Sequence, residues 1–136
     1  MSPVREIEWA AAILFAGVGL VQIYAPGLFT AYHARLIERG PAAVRGYGLV
    51  VLSLGGLIAV FHNVWSGPAL VLTAAGWLLV LEGAVCAFAP SLGSMGFAAS
   101  DPAMRRRAVV ATGVGAVIVS GVLWADLLIG APGTAG

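Results

Sequence analysis

Two apolar runs stay free of charge over most of the length that crosses a bilayer, and they constrain the fold most. Residues 46–61, GYGLVVLSLGGLIAVF, and residues 108–129, AVVATGVGAVIVSGVLWADLLI, carry no charged side chain until Asp126. A helix on the surface of a soluble bundle needs a polar stripe, and a helix apolar all round belongs in a core or in lipid. A hydrocarbon core of about 30 Å takes about 20 helical residues at about 1.5 Å each. Composition agrees: 60% of the residues are hydrophobic and 10% charged, against about 25% charged in soluble domains, and the mean hydropathy is +0.99. A membrane protein is expected. The net charge of +1 leaves no strongly basic surface for nucleic acid.

Proline sets the boundaries. It fits the first position of a helix, where its missing N–H has no partner to lose, and breaks a helix interior. Ser2-Pro3, Gly40-Pro41, Gly67-Pro68 and Asp101-Pro102 each open an apolar run, while Pro26 and Pro90 are read as closing the first and third. The expected fold is all-α, a polytopic membrane domain over residues 1–136 with four transmembrane helices at roughly 3–25, 41–63, 68–89 and 102–129, and a small-residue tail over 130–136. Arg5 is flanked by Glu6 and Glu8, so the positive start of a cleavable leader is missing and the first run is expected to be a retained span. In the first long loop Phe29, Tyr32 and Leu36 stand at helical spacing, which allows a short interfacial helix.

Arginine sets the orientation. Arg35, Arg39 and Arg45 fall in one long loop and Arg105, Arg106 and Arg107 in the other, with Arg5 alone on the opposite side. The positive-inside rule then places both long loops in the cytoplasm, and the termini and the turn at residues 62–67 outside. Trp9, Trp65 and Trp124 fall at the outer interface, and Tyr24, Tyr32, Tyr47 and Phe88 at or near the inner one. The arginine triplet reads as a headgroup anchor.

The chain also resembles itself. Moved by 64 places, the third span lays Gly83 on Gly19, Phe88 on Tyr24, Ala89-Pro90 on Ala25-Pro26 and Leu92 on Leu28. Beyond a shorter loop, Pro102-Ala103 and Arg106 match Pro41-Ala42 and Arg45. Two copies of a helical hairpin, residues 3–63 and 68–129, are expected to share one orientation about a pseudo-two-fold along the membrane normal. Small residues at four-residue spacing, such as Ala12 and Ala16, Ala111 and Gly115, or Thr112, Ala116 and Ser120, mark faces for close helix contact, within the chain or with a partner.

Glu82 is the leading functional candidate, a carboxylate about 10 Å inside its helix at a depth where a charge costs roughly 2.5–3.5 kcal/mol. Its repeat counterpart is Val18, so packing alone does not call for an acid. One reading is a protonatable or cation-binding group facing the interior, approached by Arg45 or Arg106; the other is a neutral carboxyl bonded to Ser53, Thr112 or a backbone carbonyl. Trp77 stands on the same helix. His62 and Asn63, with Trp65, are expected at the outer turn, where a lone histidine is usually solvated or capping, and His33 lies in the inner loop. Two histidines on opposite sides of a bilayer do not share a metal, no Cys/His spacing suggests zinc, and the single cysteine, Cys86, lies in an apolar run. No catalytic residue, cofactor or metal is expected.

At His62-Asn63-Val64-Trp65, followed by Gly76-Trp77 and Gly83, residues 46–90 resemble a group of small, uncharacterised bacterial integral-membrane proteins with a similar HNVW turn and GW-containing helix. The resemblance implies a bacterial inner-membrane protein and transfers no activity; in that group a basic residue can stand near the place of Glu82. The leading functional expectation is a non-enzymatic membrane protein acting by association, as a homo-oligomer or an accessory subunit of a membrane complex. The alternative is a small transporter or proton-coupled carrier using Glu82.

Overall fold

The computed structural model describes residues 2–130, so the expected tail from 131 onward lies outside the described residues. Six helices follow one another: α1 (Pro3–Tyr24), α2 (Pro26–Glu38), α3 (Pro41–Phe61), α4 (Leu70–Phe88), α5 (Pro90–Ala99) and α6 (Pro102–Ile129). Of these, α1, α3, α4 and α6 are long and apolar enough to cross a membrane.

The capping chemistry explains the starts. Ser2 accepts from the Arg5 N–H at 3.5 Å, and Asp101 accepts from the Met104 N–H at 2.7 Å, each satisfying a backbone donor that the first turn leaves free. Pro68 does not open α4. Gly67, with φ of +66°, turns the chain, the Leu70 N–H closes on the Gly67 carbonyl at 3.3 Å, and α4 begins two residues beyond the expected start.

The two prolines read as closing helices do follow the ends of α1 and α4, and they also open α2 and α5. A residue before proline is pushed out of the helical region; Ala25 and Ala89 take nearly the same conformation, φ/ψ of −131°/55° and −134°/65°. The break is therefore one residue long, and proline's fixed φ starts the next helix at once. The long loops are helices joined to their spans by sharp bends.

The extensive packing joins α1 to α6 and α3 to α4, rather than the two spans within each expected hairpin. Both pairs cross at glycine. A Cβ on Gly19 would lie 2.8 Å from the Gly113 carbonyl oxygen, and one on Gly113 would lie 2.8 Å from the Gly19 oxygen. In the other pair, a Cβ on Gly83 would collide with the Leu52 backbone, and one on Gly48 with Ala87 and Cys86. Backbones this close gain dispersion contact over the whole crossing, which is what holds helices together where both sides are apolar.

The ends of the bundle differ. The α3–α4 turn, the start of α1 and the end of α6 share one end, the turn end, where Ala11, Ala12, Leu72, Leu123 and Leu127 form the buried core, with Trp9 edge-on to Trp124 at 4.8 Å. Helices α2 and α5 and six of the seven arginines lie at the other, the arginine end. Here α2 reaches α6 and α5 reaches α3, and a cleft stays open among α2, α3, α4 and α5.

Candidate functional site

The cleft at the arginine end has a volume of about 390 Å³, within the range of small-molecule sites. Helical periodicity builds its walls. Leu78, Glu82 and Cys86 come from one face of α4 at four-residue intervals, Val44 and Tyr47 from α3, His33, Leu36 and Ile37 from α2, and Gly93 and Phe97 from α5.

Glu82 faces this cleft and is exposed along it. Its partner is the Tyr47 hydroxyl, which donates to Oε1 at 2.8 Å. The partners expected for it are engaged elsewhere: Ser53 donates to Leu49 O at 2.7 Å, and Thr112 donates to Ala108 O along its own helix. Arg45 does not approach the acid. Its Nε donates to the Ala87 carbonyl at 3.1 Å, capping the last turn of α4, where the free carbonyls favour a cation. Arg106 and Arg107 are exposed, and Arg105 lies over the Phe97 ring at 4.8 Å. Trp77 is 49% exposed on the outward face of α4, away from the cleft.

An aromatic cluster closes the cleft. The His33 ring sits 5.5 Å from Tyr47 and 5.6 Å from each of Tyr32 and Phe97. His33 Nδ1 lies 2.8 Å from the Phe29 carbonyl oxygen. A carbonyl only accepts, so the neutral ring carries its proton on Nδ1 and keeps Nε2 as a lone-pair acceptor.

At the turn end His62 is not solvated, as an interfacial histidine was expected to be. It is fully buried, with Nε2 2.9 Å from Glu8 Oε1 and Nδ1 3.2 Å from Thr73 Oγ1. Glu8 is 4% exposed and Thr73 not at all. The Thr73 hydroxyl donates to Val64 O at 2.7 Å and accepts the Val64 N–H at 3.1 Å, so it satisfies the turn's backbone from α4. The α1 helix end enters the same cluster through Glu8. Among the described residues this is the one acid–base contact within 4 Å. Through its bonds to Val64 the Thr73 hydroxyl holds the turn. Asn63 and Trp65 do stand exposed at this turn, with the indole N–H donating to Asn63 Oδ1 at 2.6 Å.

Among the described residues no group of three His, Cys, Asp or Glu side chains is arranged to hold a metal ion. Comparison with protein families, with curated proteins and with solved structures finds no match for the chain. The cleft and the buried cluster carry the functional reading on their own geometry.

Sequence reasoning singled out Glu82 as functional but not its partner Tyr47, the neighbouring His33, or Glu8. A signal for Glu8 was present: it lies six positions inside the apolar run's first helix, and Trp9 beside it already marks the membrane boundary. The residue that meets it comes from a segment 54 positions away, which no local pattern announces.

Proposed function

We propose that this chain is a small integral membrane protein that binds a small ligand in its cleft and carries it across the bilayer, with Glu82 as the charged centre. The observation that bears the weight is the Tyr47–Glu82 bond inside a mostly apolar and aromatic cleft. A carboxylate at this depth is costly, and it is held by a single phenol rather than neutralised by an arginine. A carboxylate so placed can exchange one proton for one cation, the chemistry of a proton-coupled carrier. The setting proposed is the bacterial inner membrane, with the arginine end in the cytoplasm and both termini outside, on the six-to-one distribution of arginines.

The proposal includes the internal repeat. Exchanging α1–α3 with α4–α6 turns the α3·α4 pairing into α6·α1 and the α3·α5 contact into α6·α2, and all of these pairings occur. The breaks at Ala25 and Ala89 have the same dihedral angles. His33 and Phe97, counterparts at the 64-residue shift, stack on each other at 5.6 Å, as residues beside a two-fold axis do. The repeat thus supplies two scaffolds, and one alone carries Glu82.

The association reading rests on small-residue faces. Gly19, Gly48, Gly83 and Gly113 are engaged inside the chain, while Gly56, Gly115 and Gly121 are open and offer the faces a second copy or another membrane protein would use. The carrier reading is preferred because it accounts for Glu82. Purified protein in liposomes holding a trapped pH-sensitive dye tests it, because exchange of one proton for one cation moves no net charge. A panel of small organic cations should drive proton movement beyond that of protein-free liposomes, and Glu82→Gln should abolish the excess. Proton movement that survives Glu82→Gln, or none above protein-free liposomes with any compound, overturns the carrier reading.

A further inference from the structure

Resting on that reading of the cleft, we infer that its ligand is an N–H-bearing organic monocation, a primary ammonium on an apolar body. The reason is an inventory of donors. Four polar side chains line the cleft: His33, Tyr47, Glu82 and Ser94. His33 gives its Nδ1 proton to Phe29 O, Tyr47 gives its hydroxyl proton to Glu82, and Ser94 donates to Ser91 O at 3.3 Å. Glu82, when ionised, has none to give. Every strong donor is therefore engaged, and what remains is Glu82 Oε2, His33 Nε2 and the lone pairs of Ser94 and Tyr47. Cys86 adds only a weak S–H.

A site with several acceptors, one negative charge and no free strong donor selects a group that is positive and carries several N–H bonds. It selects against carboxylates, phosphates and alkoxides, which need donors. The aromatic rings of His33 and Tyr47 line the same cleft, where a cation can meet a ring, and Leu36, Val44, Leu78 and Leu81 take up an alkyl or aryl body. The same acceptor logic sets this ligand apart from a quaternary ammonium, which has the charge and no N–H to donate.

Such an ammonium is found on free amines and on the headgroup of an aminolipid, and the test separates the two. The full chain is placed in nanodiscs of phosphatidylcholine, and octylammonium, octyltrimethylammonium and octanol are titrated calorimetrically, with Glu82→Gln discs as the blank for partitioning. Octylammonium should bind at least about tenfold more tightly than the other two, and His33→Phe, which installs the counterpart residue Phe97, should weaken it by about threefold. Repeating the titration with phosphatidylethanolamine in the disc identifies the source. Competition assigns the site to the lipid headgroup, and an unchanged affinity assigns it to a soluble amine. Octyltrimethylammonium binding within about twofold of octylammonium overturns the inference and leaves a Glu82-dependent cation site standing. Identical heats in wild type and Glu82→Gln remove both.

Discussion

Replacing Glu8 and His62 by leucine, singly and together, separates a buried polar lock from incidental packing. Each side chain is nearly or fully enclosed, and Glu8 is the partner of His62 Nε2. Removing one leaves the other's polar atom without water or partner, a loss of about 1–3 kcal/mol for a neutral group and about 3–5 kcal/mol for a charged one. Removing both leaves an apolar site of similar volume. Under the proposed repeat the counterparts of Glu8 and His62, at the 64- and 61-residue shifts, are Leu72 and Leu123, both fully buried, which is the packing expected of the double variant. Each single variant should therefore cost at least about 2 kcal/mol and the double no more than about 1 kcal/mol, a coupling of roughly 3 kcal/mol at the top of the usual range. An ordinary interhelical hydrogen bond in a membrane averages about 0.6 kcal/mol, so the two origins are far apart. The assay is reversible unfolding in mixed micelles, followed by the fluorescence of the Trp9–Trp124 pair. Additive single effects, within about 0.5 kcal/mol, would refute the lock.

Other expectations follow from the same geometry. Thr73→Val keeps the shape but leaves the Val64 N–H unpaired; it should cost about 1–3 kcal/mol in the same unfolding assay. Gly83→Val drives side-chain atoms into the α3 backbone and should cost more than about 3 kcal/mol or prevent folding, whereas Gly56→Ala, with open space around it, should be neutral or gain up to about 1 kcal/mol from helix propensity. Arg45→Gln loses the cap on Ala87 and should lower stability by about 1 kcal/mol without changing the affinity of the cleft. Tyr47→Phe frees Glu82 Oε1 and should alter octylammonium affinity by threefold or more with little change in stability.

Much of the fold was legible because lipid leaves few choices. Apolar runs of bilayer length, punctuated by proline, mark α1, α3, α4 and α6 to within two residues at every end. Phe29, Tyr32 and Leu36 allowed a short helix where α2 lies, but α5 was not seen. Proline both forbids a helical residue before it and begins a helix well, so Ala25-Pro26 and Ala89-Pro90 read as stops when they are one-residue bends. The pairing of helices was not legible either, since every apolar face suits every other and the choice falls to where backbones can touch, at Gly19 with Gly113 and Gly48 with Gly83. Glu82 was visible as a charge out of place. Its surroundings were not, because Tyr47 and His33 look like interface residues until α2 comes to rest beside α3 and α5. His62 shows the reverse case: its position at a helix end suggested water, and only Glu8 and Thr73, arriving from two other helices, make burial affordable.

The account stands on Glu82 being an accessible carboxyl in a ligand-binding cleft, and reaction with a lipid-soluble carbodiimide reads this directly. Mass spectrometry of the full chain, treated in its membrane, should find Glu82 modified, counting both the N-acylurea and the octylamide formed when the amine traps the activated carboxyl, with the total loss of free Glu82 slowed several-fold by octylammonium and unaffected by octanol. A Glu82 that stays unmodified, or that reacts at the same rate with and without the amine, would contradict the account.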